Sequence, residues 1–359
     1  MDAPAEAGQI LLGADRSCTS RATEQMSPMN KAPRVSIGIP VRNGARYIGK
    51  AIDSLLAQTF TDFELIICDN DSTDATEAIC REYASRDPRV RYFRNSENLG
   101  PAGNHNKCFN LCRGEFFRWH AHDDMLEPTY LQVCVDALDR DPTIVVAYPR
   151  TRIVDENEQL LEEYHFHPGT DSPSPPKRFA ELVLVNHRKH RAVEIFGLMR
   201  SSALLKTPLE GAYARGDSVL LVRMALLGRF VELPDWLFLS RSHSSQSMQT
   251  MPTVNGKSRS RLTRWLGTGP LPPPEWWDSS RKGKINFPEW NLLKQYWISI
   301  GRAGLSAADR ARCYAIMCMW LIRNVPKLAR DVVYAAETVL TPVSDERVPA
   351  PATQGASRT

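Results

Sequence analysis

The chain has 359 residues, 42% of them apolar and 24% charged, with a formal net charge of +4. These values are ordinary for a folded globular protein of one large or two smaller domains, and so small a charge does not argue for nucleic acid. No apolar run approaches the ~20 residues that span a bilayer, and the eight cysteines form no C-x-x-C pair, so no transmembrane helix, zinc site or disulfide framework is expected. With no basic stretch and apolar core at the start, the expected location is the cytoplasm.

Residues 1–32 lack periodicity and are expected to be a disordered leader. Val35 to Val41 predicts a strand, ended by Pro40 and the Asn43-Gly44 turn. Ile48, Ile52, Leu55 and Leu56 then fall at helical spacing. Phe63 to Cys68 is a second strand, and Asp74 with Glu77 has the spacing of a capping box for the next helix. A third strand over 90–93 and a helix from Pro101 to Cys112 follow. The aromatic run 115–119 is a fourth strand, a helix opens at Pro128, and 144–148 is a fifth strand. This alternation with short connections predicts an α/β fold, a Rossmann-like and mostly parallel sheet covered by helices. Further on, a helix is expected over 178–185 and a strand over 193–199. The main domain is placed at 33–250, divided at 150 into two halves. Next comes a helical appendage over 251–342, with Ser306 capping one helix and Pro326 opening another. Residues 343–359 read as a disordered tail.

The fourth strand delivers Asp123 and Asp124 to its carboxyl end, where ligands of α/β sheets sit. Two adjacent carboxylates are costly there unless a cation or polar ligand meets them. Mg²⁺ and Mn²⁺ take carboxylate and phosphate oxygens, so a metal–diphosphate site is one reading and an ordinary loop start the other. Neither glycine-based phosphate device is present. Gly44 to Lys50 matches G-x-x-x-x-G-K but is followed by Ala51, where a P-loop needs Ser or Thr, and no G-x-G-x-x-G follows the first strand.

Together, Val35 to Gly44, Phe63 to Asp74, Asn98-Leu99-Gly100 with Asn104 and Asn106, Arg113-Gly114-Glu115 and Ala121-His122-Asp123-Asp124 resemble a family 2 glycosyltransferase of the type A fold, over about residues 35–243. The resemblance implies inverting transfer of a sugar from a nucleotide-diphosphate donor, expected to be a UDP-sugar, to a glycan or lipid-linked acceptor. By position it implies that Pro40, Val41, Arg42, Asn43, Asn98 and Asn104 serve the donor, with Asp69 accepting from a base N–H. It places Asp123 against the ribose and Asp124 on a Mn²⁺ or Mg²⁺ ion. His122 departs from the commonest pattern, which is acidic there; a histidine marks one subgroup. Asp217, before the apolar helix 219–227, matches the general base, although Asp at a helix start is also a common N-cap. Asp69 equally suits a plain Asx turn. His243 is a candidate for the metal, against the commoner exposed loop histidine. The pairs His165/His167 and His187/His190 lack a third ligand and read as solvated.

Six of the eight tryptophans and a basic run at 257–264 lie in the appendage. Packing on the catalytic domain is the plainer expectation; peripheral contact with the inner face of a membrane is the sharper one. Two other functions stay open: a sugar-nucleotide nucleotidyltransferase and a non-catalytic nucleotide-sugar-binding protein.

Overall fold

The computed structural model describes residues 32–187, 189–244, 246, 274–278, 281–282 and 284–340. The leader, the 257–264 run, Trp265 and the tail lie outside them. Nine strands and ten helices are described: β1 (Val35–Val41), α1 (Ile48–Leu56), β2 (Phe63–Asp69), α2 (Thr76–Arg86), β3 (Val90–Arg94), α3 (Gly100–Asn110), β4 (Phe116–Trp119), β5 (Met125–Leu126), α4 (Tyr130–Arg140), β6 (Ile144–Val154), β7 (Leu160–Tyr164), α5 (Pro175–Val183), β8 (Leu198–Arg200), α6 (Ser201–Leu204), α7 (Gly216–Leu227), β9 (Arg229–Arg241), α8 (Pro274–Trp277), α9 (Pro288–Arg302) and α10 (Ala307–Leu340).

The sheet order is β3-β2-β1-β4-β8-β6-β9-β5, with β7 on β6. The ladders β2/β3, β1/β2, β1/β4 and β6/β9 are parallel, while β8 is antiparallel to both β4 and β6. Strands β1 to β4, β6 and β9 therefore all run one way, and the expected mostly parallel α/β fold is the observed one. Alternate side chains sort to opposite faces, as the period of two demands. Ile37, Ile39, Leu65 and Ile67 join α1 and α4 in one core, whereas Ile66, Cys68, Phe117 and Trp119 join α3, α5 and α7 in the other.

Four expectations need correction. The fifth strand, expected over 144–148, is β6 and extends to Val154, and β8 separates it from β4 in the sheet. The strand expected over 193–199 is a 3-10 turn, Val193–Phe196, and only Leu198–Arg200 is extended. Gly197 marks the change, since a Cβ there would lie 2.7 Å from Val146 Cγ1. Asp74 and Glu77 form no capping box: Asp74 accepts from the amides of Thr76 at 3.0 Å and Ala45 at 3.1 Å, and Glu77 pairs with Arg81 and Arg94. Finally, Pro326 lies inside α10. It sits on the exposed side, where water can satisfy the carbonyl that a proline leaves unpaired.

Candidate active site

The carboxyl ends of β1, β2, β4 and β9 share one edge of the sheet, because these strands run the same way. At β1 the chain turns through Asn43, held at φ 54°. Asn43 Oδ1 accepts from the Thr73 amide at 2.8 Å, its own amide donates to Ser72 Oγ at 2.9 Å, and the Gly44 amide donates to Thr76 Oγ1 at 2.9 Å. The turn is thus tied to the loop after β2. Pro40 and Val41 close the strand, and Arg42 is exposed beside them. A Cβ on Gly44 would meet both His122 Cδ2 and Val41 Cγ2 at 2.6 Å, so the His122 ring lies directly on this turn. Burial lowers the His122 pKa, keeping the ring neutral against the backbone.

Asp69 is fully buried. One carboxylate oxygen accepts from the Ser72 amide at 2.8 Å, the other from Tyr92 Oη at 2.7 Å and Arg94 Nη1 at 3.3 Å. An Asx-type turn is therefore present, whatever else Asp69 does. Asn98 Oδ1 accepts from Asn70 Nδ2 at 2.7 Å, and Asn104 joins the Cys68 carbonyl at 2.8 Å to Asn95 at 3.0 Å. These asparagines brace β2, β3 and α3 under the same edge.

The two central aspartates are not equivalent. Asp124 is 3% exposed, and its Oδ1 accepts from the Arg241 amide at 2.8 Å. Burial first, and repulsion from Asp123 second, push its carboxyl well above the usual carboxylate range. Asp123 is the more open of the two; its Oδ2 lies 2.9 Å from His243 Nε2. Tyr47 packs on the His243 ring at 4.6 Å, and the Arg241 guanidinium stands 5.0 Å from the Tyr47 ring. Arg241 Nε also donates to the Asp123 carbonyl at 2.9 Å, so the end of β9 and the aspartate loop are clamped together.

Beneath the loop lies a feature easily missed in the aromatic run of β4. Arg118 is fully buried with no carboxylate bonded to it among the described residues; its guanidinium stacks 4.3 Å from Tyr130. It lies 3.3 Å from His120 Nδ1, and His120 Nε2 lies 3.2 Å from the Asp124 carbonyl. A guanidinium can only donate, so His120 accepts at Nδ1 and carries its proton on Nε2. A charged residue inside a buried strand was the available signal.

Asp217 lies in the first turn of α7, one residue inside the helix start, and Oδ1 accepts from the Ser218 amide at 2.7 Å. Arg215 before it is held at φ 65° and lies 3.6 Å from Glu289 of α9. Glu210 is a further acid that the sequence did not single out. Its carboxyl is raised by burial first, lowered by His105 and raised again by Asp217. The His105 carbonyl accepts from Trp119 Nε1 at 2.9 Å, which links this acidic pair to the end of β4. Of the histidine pairs expected to be solvated, His165, His167 and His187 are exposed, and His190 is not. His190 is half-buried, with Nε2 2.9 Å from Glu194, and His165 packs edge-on against Trp236.

Among the described residues no group of three or more His, Cys, Asp or Glu side chains is placed to hold a metal. The Asp123 carboxylate is the kind of oxygen donor that Mg²⁺ or Mn²⁺ takes beside phosphate and water, and His243 Nε2 lies 2.9 Å from it.

Residues 36–206 match the model of the family described as Glycosyl transferase family 2. The match covers just under half of the chain. Its sheet is the mostly parallel, helix-covered α/β one that the resemblance implied. Over 137 residues the chain is 35% identical to a chondroitin synthase of Escherichia coli, covering 38% of this chain and 20% of that protein. Over 135 residues it is 34% identical to a hyaluronan synthase of Pasteurella multocida, covering 38% and 14%. The chain thus spans about a fifth or less of the length of these relatives. A crystal structure of S. aureus TarS 1-349 in complex with UDP-GlcNAc aligns at 15% identity and a TM-score of 0.49, over 86% of this chain and 92% of that one.

Proposed function

We propose that the protein is an inverting glycosyltransferase that moves a sugar from a nucleotide-diphosphate donor, a UDP-sugar, to a hydroxyl of a glycan or lipid-linked acceptor in the cytoplasm. The observation that carries this is the 2.9 Å approach of Asp123 and His243 at the shared strand edge of a family 2 domain.

The difference in exposure supports a division of labour opposite to the expected one. Asp123 with His243 would hold a Mn²⁺ or Mg²⁺ ion, while Asp124 anchors the loop to the Arg241 amide. When bound, the ion supplies Lewis-acid stabilisation of the charge that gathers on the departing diphosphate. Pro40, Val41, Arg42 and Asn43 would face the nucleoside. Asp69, with both oxygens engaged, would shape that pocket through the Asn70–Ser72 turn. Asp217 would take the proton from the acceptor hydroxyl as it attacks the anomeric carbon. Its neighbour Glu210 is held toward its neutral form, chiefly by burial.

The test is Asp217→Asn, assayed for nucleoside diphosphate release with and without acceptor. We expect kcat to fall by about 10²–10⁴-fold, the usual worth of a general base, with donor binding retained. Turnover near wild type removes Asp217 as the base, and release of pyrophosphate in place of nucleoside diphosphate replaces transfer with nucleotidyl chemistry.

A further inference from the structure

The long helix α10 turns one side to its neighbours and leaves the other uncovered. Trp320 and Leu328 are buried against the rest of the protein. On the opposite side Cys318, Ile322, Val325, Ala329 and Val332 follow one another at steps of four and three, and Val339 continues the line one heptad on. All are exposed, with Ile322 at 73%, Val325 at 53% and Val339 at 64%. Scattered apolar residues on a surface need no explanation, whereas a continuous line of them does.

The charge around this line is equally one-sided. Residues 281–340 contain ten Lys and Arg against four acidic residues, two of them the buried Glu289 and Asp331. That is a net +6 in a chain that nets +4, so the remainder nets −2. At 100° per residue, exposed Arg312 and Arg323 border one side of the apolar line and exposed Arg310 the other. Trp297 of α9 is 51% exposed and packs at 4.5 Å on Tyr314, beside the start of the line. No described helix is long and apolar enough to cross a membrane.

We infer that the α9–α10 face docks on an anionic lipid surface, with α10 lying in the plane of the interface. Its apolar line would enter the acyl boundary, its bordering arginines would meet the phosphates of the headgroups, and Trp297 would sit at headgroup level. A second copy of the chain is the rival occupant, since the same spacing suits a coiled coil. Charge decides between them: two copies would bring segments of six net positive charges together, while an anionic bilayer offers the complement.

The experiment uses the full chain with vesicles of phosphatidylcholine alone and of phosphatidylcholine with phosphatidylglycerol, followed by co-sedimentation. We expect binding to the anionic vesicles that weakens as salt is added. The triple change Ile322→Ser, Val325→Ser, Val332→Ser should weaken it by about tenfold or more, because the apolar line supplies the buried area. Replacing Arg310, Arg312 and Arg323 by Gln should reduce it as well, with the melting temperature kept in both variants. No binding to anionic vesicles, or full binding by the triple variant, overturns the inference. So does a wild-type dimer in sedimentation velocity that the triple variant loses. None of these readouts needs turnover, so they stand apart from the glycosyltransferase assignment.

Discussion

Asp123 and Asp124 show how far neighbouring residues of one type can differ in chemistry. Only Asp123 reaches His243, while Asp124 spends an oxygen on the Arg241 amide in a site closed to water. Changing Asp123 to Asn should therefore weaken Mn²⁺ binding by about 10–100-fold, at least what loss of a supporting group commonly costs, and leave the melting temperature unchanged. Asp124→Ala should act differently, destabilising the fold by about 1–3 kcal/mol by leaving a buried amide without an acceptor. A Mn²⁺ titration and a denaturant melt on each variant check both halves; equal loss of Mn²⁺ affinity in the two would return Asp124 to the metal. The acidic pair itself was legible, since carboxylates at a strand end need a reason. Which of the two faces outward depended on β9, more than a hundred residues away, and no local pattern carries that.

At the scale of elements, β1, β2, α3 and α4 were readable because their apolar periods are long and their ends are marked by Pro40, Asn43-Gly44 and Pro128. The reversed strand β8 was not, because a three-residue strand has no period, and only its pairing to β4 and β6 defines it. The β1–α1 turn is also set by tertiary contact: His122 fills the space where any side chain at position 44 would go. Gly44→Ala should cost about 1–3 kcal/mol, the usual range for overpacking. In a His122→Ala background at least half of that cost should disappear, because the clashing ring is gone. Urea unfolding of the four members of this cycle measures it. An undiminished cost would place the strain at Val41, the other atom a Cβ would meet.

For the whole molecule, composition suggested a boundary near residue 250, but the buried side chains cross it. Leu292, Tyr296, Cys313, Met317 and Trp320 lie in the same apolar cluster as Phe117 of β4 and Leu221 of α7. Arg223 of α7 adds polar ties, donating to Gln295 Oε1 at 2.8 Å and approaching Ser299 Oγ at 3.3 Å. A change in composition can mark where a chain alters its character, yet it says nothing about which face of a later helix docks. That face was visible as the spacing of Cys313, Ile316, Met317 and Trp320, and packing on the preceding domain was the plainer expectation; the particular residues it meets on α7 and α9 were not visible. Trp320 is 3% exposed and meets Tyr296 edge-on at 6.0 Å, at the centre of this contact. Trp320→Ala should destabilise the protein by about 3–5 kcal/mol, the range for emptying a buried aromatic site. Because the cluster is continuous, the loss should lower one transition seen alike by far-ultraviolet and near-ultraviolet circular dichroism. Two separated transitions, with the upper one unmoved, would mean that α9 and α10 fold apart from the sheet. In that case the ties at Arg223 and Arg215 would be contacts between separate folding units.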